Sequence, residues 1–196
     1  MGSINPRWIS DPMTTDRTRR PFTMEEGLAI LTRTPAVLDA LLRGLPDGWI
    51  AVHEGGDTWS PFDVVGHLIH GERTDWLPRI RIVLEHGDAR PFETFDRLAQ
   101  FAESKGRTMD ELLDEFAALR SDNLRQLAAL RLTAADLDRP GRHPQLGAVR
   151  MRNLLATWVA HDLDHIVQIS SVLAGQYSDE VGPWRAYLRI ISGAQG

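Results

Sequence analysis

The chain has no cysteine. That absence excludes disulfide frameworks, cysteine-ligated zinc, iron–sulfur clusters and any thiol nucleophile supplied by the protein itself. It fits a reducing compartment, and the cytoplasm is the expected location. No stretch approaches the ~18 consecutive apolar residues of a membrane span, so no membrane partner is expected. The first 21 residues lack the apolar core of a signal peptide, and Pro6 stands where a myristoylation pattern wants Ser or Thr. Basic residues are in deficit, with 22 Lys and Arg against 27 Asp and Glu, for a net charge of −5. A large nucleic-acid interface needs a basic face, so none is expected. Alternating strand patterns are also missing.

What is present is an ordinary soluble composition, 42% hydrophobic and 25% charged, in a length suited to one domain. We expect a polar leader over residues 1–21, carrying Arg17, Arg19 and Arg20, and a single domain over residues 22–196. Helical periodicity fills that domain. Thr23 to Glu26 form a capping box, followed by Leu28, Leu31, Leu38, Leu42 and Leu45, with a kink expected at Pro35. Ser60 and Pro61 start a second helix as N-cap and first residue, with a stripe of Phe62, Val65, Ile69, Trp76, Ile80 and Val83 that ends at Gly87. Thr108 to Glu111 open a third helix through Leu112, Phe116, Leu119, Leu127 and Leu130. A fourth is predicted from about Val149 to Ala174, and a shorter fifth around Pro183–Ile191.

The segment Glu85–Arg107 between the second and third helices is long for an antiparallel connection. A crossover of that length lets the two helices run parallel. The expected fold is therefore all-α: an up-down-down-up four-helix bundle with a short C-terminal helix.

His161-Asp162-Leu163-Asp164-His165 falls in the middle of the fourth helix. Residues four apart share a helix face, so both imidazoles point the same way and can serve one metal. Chance alone gives about 0.2 such pairs among seven histidines, so spacing by itself is a weak motif. Placement adds more. Met151, Leu154, Trp158, His161, His165 and Val172 form one seam, which turns both histidines inward. The alternative is a pair of buried histidines bonded to Asp or backbone. A third ligand would come from the second helix, at His67 or His70, and phase does not choose between them. Gly71 leaves room beside His67, whereas His70 reads as a solvated or hydrogen-bonded surface residue. His53, His86 and His143 read as ordinary exposed loop histidines, and Trp76 and Trp158 as core.

Trp59-Ser60-Pro61-Phe62-Asp63-Val64-Val65-Gly66-His67-Leu68, followed by His161-x3-His165, resembles the DinB/YfiT-like superfamily. The resemblance runs from about Phe22 to Ile191. It implies a four-helix bundle with one divalent metal held by His67, His161 and His165. It further implies a homodimer through helix faces, to which the apolar richness of the first and fourth helices adds. The metals implied are zinc or nickel first, then iron or manganese. Characterised relatives include enzymes that use a low-molecular-weight thiol such as bacillithiol, mycothiol or glutathione.

Three protein ligands leave open positions on a metal, as in catalytic sites. The expected function is a metal-dependent transferase using a thiol cosubstrate on a small-molecule substrate. The alternatives are a metal-dependent hydrolase and a non-enzymatic metal- or ligand-binding protein. Asp162 and Asp164 are candidates for orienting the ligands or for solvated surface acids. Glu72 is a candidate base, or a salt-bridge partner of Arg73 or Arg79. A protease of the His-Glu-x-x-His type and a ferritin-like di-iron centre are both disfavoured, since neither motif occurs.

Overall fold

The computed structural model describes residues 21–53, 55 and 58–192. The expected leader lies, apart from Pro21, outside them. The first bundle helix is made of two pieces, α1 (Met24–Leu31) and α2 (Thr34–Leu42), so the kink at Pro35 is a full break. Pro35 has no N–H for the carbonyl of Leu31, four residues back. That carbonyl instead accepts the Arg120 guanidinium at 3.0 Å. A single turn, α3 (Asp47–Ile50), leads towards the second bundle helix.

The second bundle helix starts where the sequence places it. Ser60 accepts the N–H of Asp63, Asp63 answers the N–H of Ser60, and Pro61 opens the first turn. It differs from expectation further on, breaking at Asp75 into α4 (Pro61–Thr74) and α5 (Trp76–His86). Pro78 is the cause, because it cannot donate to Thr74 and its ring crowds that carbonyl. The crossover carries α6 (Ala99–Glu103), and the Thr108 capping box starts α7 (Met109–Ala129). After α8 (Ala134–Leu137) comes a feature the sequence did not announce, an antiparallel hairpin of β1 (Pro140–His143) and β2 (Gly147–Arg150). Only Gly141 of its eight strand residues is buried, so no apolar alternation marks it. The last bundle helix is α9 (Met151–Gly175). The short C-terminal element is a 3₁₀ stretch over Gly182–Tyr187 and a final turn, α10 (Arg189–Ser192), separated by the non-helical Leu188.

Packing fixes the helix directions. Val64 to Ile69 of α4 share a core with Met109 to Phe116 of α7, while Trp76 to Val83 of α5 meet Leu127. These two bundle helices therefore run parallel. On α9 the order reverses: His165 and His161 lie against His67, Trp158 stacks on Trp76, and Met151 joins Val83. Leu31 packs in the Leu127 cluster and Leu38 and Leu42 in the Met109 cluster, so the first helix opposes α7. The order is up-down-down-up, as the long crossover predicts.

Two apolar cores result, separated by a charged layer. Arg120 sits in the α7 seam between Phe116 and Leu127, 1% exposed. It donates to both oxygens of Asp162 on α9 and, from Nε and Nη2, to Oε1 of Glu72 on α4. Asn123 donates to Oε2 of Glu72 at 2.9 Å, and the Trp158 indole N–H to Oε1 at 3.0 Å. Burial would lower the Arg120 pKa, but the bonds to Asp162 and the charge of Glu72 win and hold it above its usual value. Among the described residues no helix is long and apolar enough to cross a membrane.

Candidate metal centre

Three histidines converge where α4 faces α9. His67 lies two turns into α4, and His161 and His165 stand one above the other on α9. The Nε2 atom of His161 is 3.2 Å from that of His67 and 3.1 Å from that of His165. A tetrahedral metal with Zn–N bonds of 2.0–2.1 Å would separate its nitrogens by about 3.3 Å. The spacing fits.

The chemistry of the donors fits as well. A neutral imidazole nitrogen carries either a hydrogen or a lone pair, so His161 Nε2 cannot serve both neighbours well. A cation among three lone pairs resolves that conflict. His165 donates from Nδ1 to the Gln168 amide oxygen at 2.8 Å, which leaves its Nε2 free as a lone pair. All three rings are held neutral at pH 7. Burial, reinforced by the other imidazoles, pushes His67 down to about 4 and His161 to about 3, and burial also lowers His165. Neutral rings are what a metal needs.

Aromatic rings wall the group. Trp59 lies 4.7 Å from His67 and stacks at 6.4 Å on His165, Phe95 meets the edge of His67, and Trp76 that of His161. Beyond them a cavity of about 510 Å³ extends to the hairpin, lined also by Asp75, Arg79, Phe92, Arg97, His143 and Asp164. Asp75 bonds Arg79 at 2.7 Å, yet burial outweighs that cation and raises the Asp75 carboxyl to about 6.

Several expected placements change. His70 is not a surface residue: it is 6% exposed, beneath α6, with Nδ1 3.1 Å from Glu103 and its ring against Phe95. The crossover that covers it has no periodicity to reveal that it folds back. His143 is half-buried in the cavity wall, edge-on to Phe92, rather than an ordinary exposed loop residue. Glu72 is fully committed to Arg120, Asn123 and Trp158, not to Arg73 or Arg79, and does not line the cavity. Asp162 is buried and bonded to Arg120 rather than to an imidazole, whereas Asp164 is exposed at the cavity edge. His53 and His86 are exposed, and Trp76 and Trp158 are core, as the sequence predicts. Sequence reasoning missed Asp75, Phe95 and Arg97, which come from a helix break and an aperiodic loop, and read Arg79 of α5 only as a possible partner of Glu72. Arg120 did leave a signal, a cation four residues past Phe116 inside an apolar seam.

An up-down-down-up bundle with a histidine on its second helix and a pair on its fourth defines a class of metal-binding bundle. A family model of the DinB superfamily matches residues 30–169, and the chain belongs to that superfamily. Among solved structures it is similar to YfiT from Bacillus subtilis, described as a probable metal-dependent hydrolase with an unusual four-helix bundle topology. That likeness has a TM-score of 0.64 at 21% identity and covers 79% of this chain and 89% of YfiT. No curated protein matches this chain.

Proposed function

We propose that the chain is a divalent-metal-dependent enzyme acting on a small molecule, with His67, His161 and His165 as the ligands. The observation that carries this reading is the convergence of three neutral imidazoles beside a large cavity, with His161 Nε2 3.1–3.2 Å from the other two and all three ligand atoms within 4.8 Å of one another. Zinc or nickel suits the all-imidazole set best, with iron or manganese as further candidates. A divalent ion held there would supply Lewis-acid activation of a water or of a small thiol. The remaining work falls to the chain. Trp59, Phe95 and Trp76 exclude bulk water and offer aromatic faces to an apolar substrate. Asp75, rather than Glu72, is placed in the cavity wall to take a proton.

Thiol transfer is our first reading, carried by the resemblance to thiol-using DinB-like relatives; in a cysteine-free chain the nucleophile would be a recruited thiol or a metal-bound water. Hydrolysis is the second, supported by the description of YfiT. The test is metal analysis of untagged protein, then incubation of metal-loaded protein with monochlorobimane and each of bacillithiol, mycothiol and glutathione. Metal-dependent conjugation that His161→Ala abolishes supports transfer. Turnover of ester or amide substrates without thiol favours hydrolysis. Failure of wild-type protein to take up zinc or nickel overturns the whole proposal. We also propose a homodimer, supported by the exposed Leu163 and Val167 one turn apart on α9 and the exposed Val37 on α2.

A further inference from the structure

The buried side chain of Gln100 has no use in anything described so far. It is 1% exposed, and both its amide oxygen and its amide nitrogen are without hydrogen-bond partners among the described residues. Leaving such a group unpaired costs about 1–3 kcal/mol, so each instance in a folded protein calls for a reason. A second orphan lies next to it. His67 Nδ1 is likewise buried and unpartnered, one residue on from the Gly66 that Gln100 packs against.

The fold brings them together by design of the crossover. Glu103 of α6 reaches α4 twice, at His70 (3.1 Å) and at Arg73 (2.7 Å). Gly66, just before His67, lets the short helix lie flat on α4. A Cβ there would collide with Ser104 Oγ and stand 3.7 Å from Gln100 Cβ. Docked at these points, α6 holds Gln100 against Gly66, the residue before His67. His165 already shows the finished arrangement, with Nδ1 bonded to the Gln168 amide oxygen.

We propose that Gln100 is a positioning residue of the metal centre. Its amide oxygen accepts the Nδ1 proton of His67 and so fixes the tautomer that aims the Nε2 lone pair at His161 and His165. The inference rests on the proposed ligand set, and the experiment separates the two. Untagged wild type, Gln100→Met and Gln100→Glu are compared by zinc affinity, in competition with a chromophoric chelator. They are also compared without metal, by the ¹⁵N shifts of the His67 ring. Met fills similar space without an acceptor, and Glu restores the acceptor. We expect Q100M to keep its helical circular dichroism and one zinc per chain at saturation, with affinity 10–100-fold weaker, the range for losing such a partner. Its metal-free His67 should lose the Nδ1–H tautomer, and Q100E should regain both properties. Zinc affinity of Q100M within twofold of wild type overturns the proposal, as does an unchanged His67 tautomer. If Q100M does not fold, weak zinc binding by a folded Q100E overturns it instead. Wild type that binds no zinc overturns the ligand set; a His67 tautomer that still depends on Gln100 would then leave the contact itself standing.

Discussion

Replacing Arg120 by Met should be among the most damaging single changes in this protein. Among the described residues Arg120 is the only cation in the buried layer, facing the carboxylates of Glu72 and Asp162, whose side chains are 0% exposed. Met roughly matches the aliphatic stem, so the volume is largely kept, while the guanidinium that lies 4.9 Å over the Phe116 ring and 5.2 Å over the Trp158 ring goes with the charge. What is lost is the compensation of two buried negative charges and a partner for the Leu31 carbonyl. Breaking a buried ion pair from one side destabilises by about 3–5 kcal/mol. At about 2–4 °C per kcal/mol for a domain of this size, the melting temperature should fall by about 6–20 °C. Urea unfolding of metal-free protein at pH 7.5, followed by far-UV circular dichroism, measures it. The triple variant R120M/E72Q/D162N should recover most of the loss, since it removes the uncompensated charges together with their partner. A loss below about 1 kcal/mol for R120M, or a triple variant no better than the single, would refute the reasoning.

Three further outcomes are expected. In metal-free protein His67 and His161 titrate near 4 and 3 when folded and near 6.5 when unfolded, so the unfolded state binds more protons below pH 6.5. Their contribution is complete above pH 6.5 and is lost as pH falls to about 4 for His67 and about 3 for His161. His67 alone accounts for roughly 3 kcal/mol as an upper limit, and a urea midpoint whose acid slope is unaffected by His67→Gln would contradict this. Gly141→Val should cost about 1–3 kcal/mol by overpacking, because even a Cβ there would lie 2.8 Å from Val83 and 3.1 Å from Phe92; an unchanged thermal melt would count against that close approach. Light scattering at micromolar concentration should report twice the chain mass, and a clean 22.0 kDa species would remove the dimer.

What the sequence discloses depends on how local the determining interaction is. The caps at Thr23, Ser60 and Thr108 were legible because each is closed by a residue three positions on. The His161–His165 pair was legible because four residues of helix settle its geometry. His67 and His70 could not be told apart, since α4 is covered on several faces by α7, α9 and α6, and the last of these comes from a segment with no period. The hairpin was hidden for the same reason, having no apolar face to alternate. The charged layer was half legible. Glu72, Arg120 and Asp162 each interrupt an apolar seam, and residues that do so on three different helices must find one another or carry an unpaired buried charge. Their formal sum is −1, and Asp162 directly follows His161 in the chain. Pairing of Asp162 with Arg120 thereby fixes the height and rotation of α9 at which His161 and His165 meet His67.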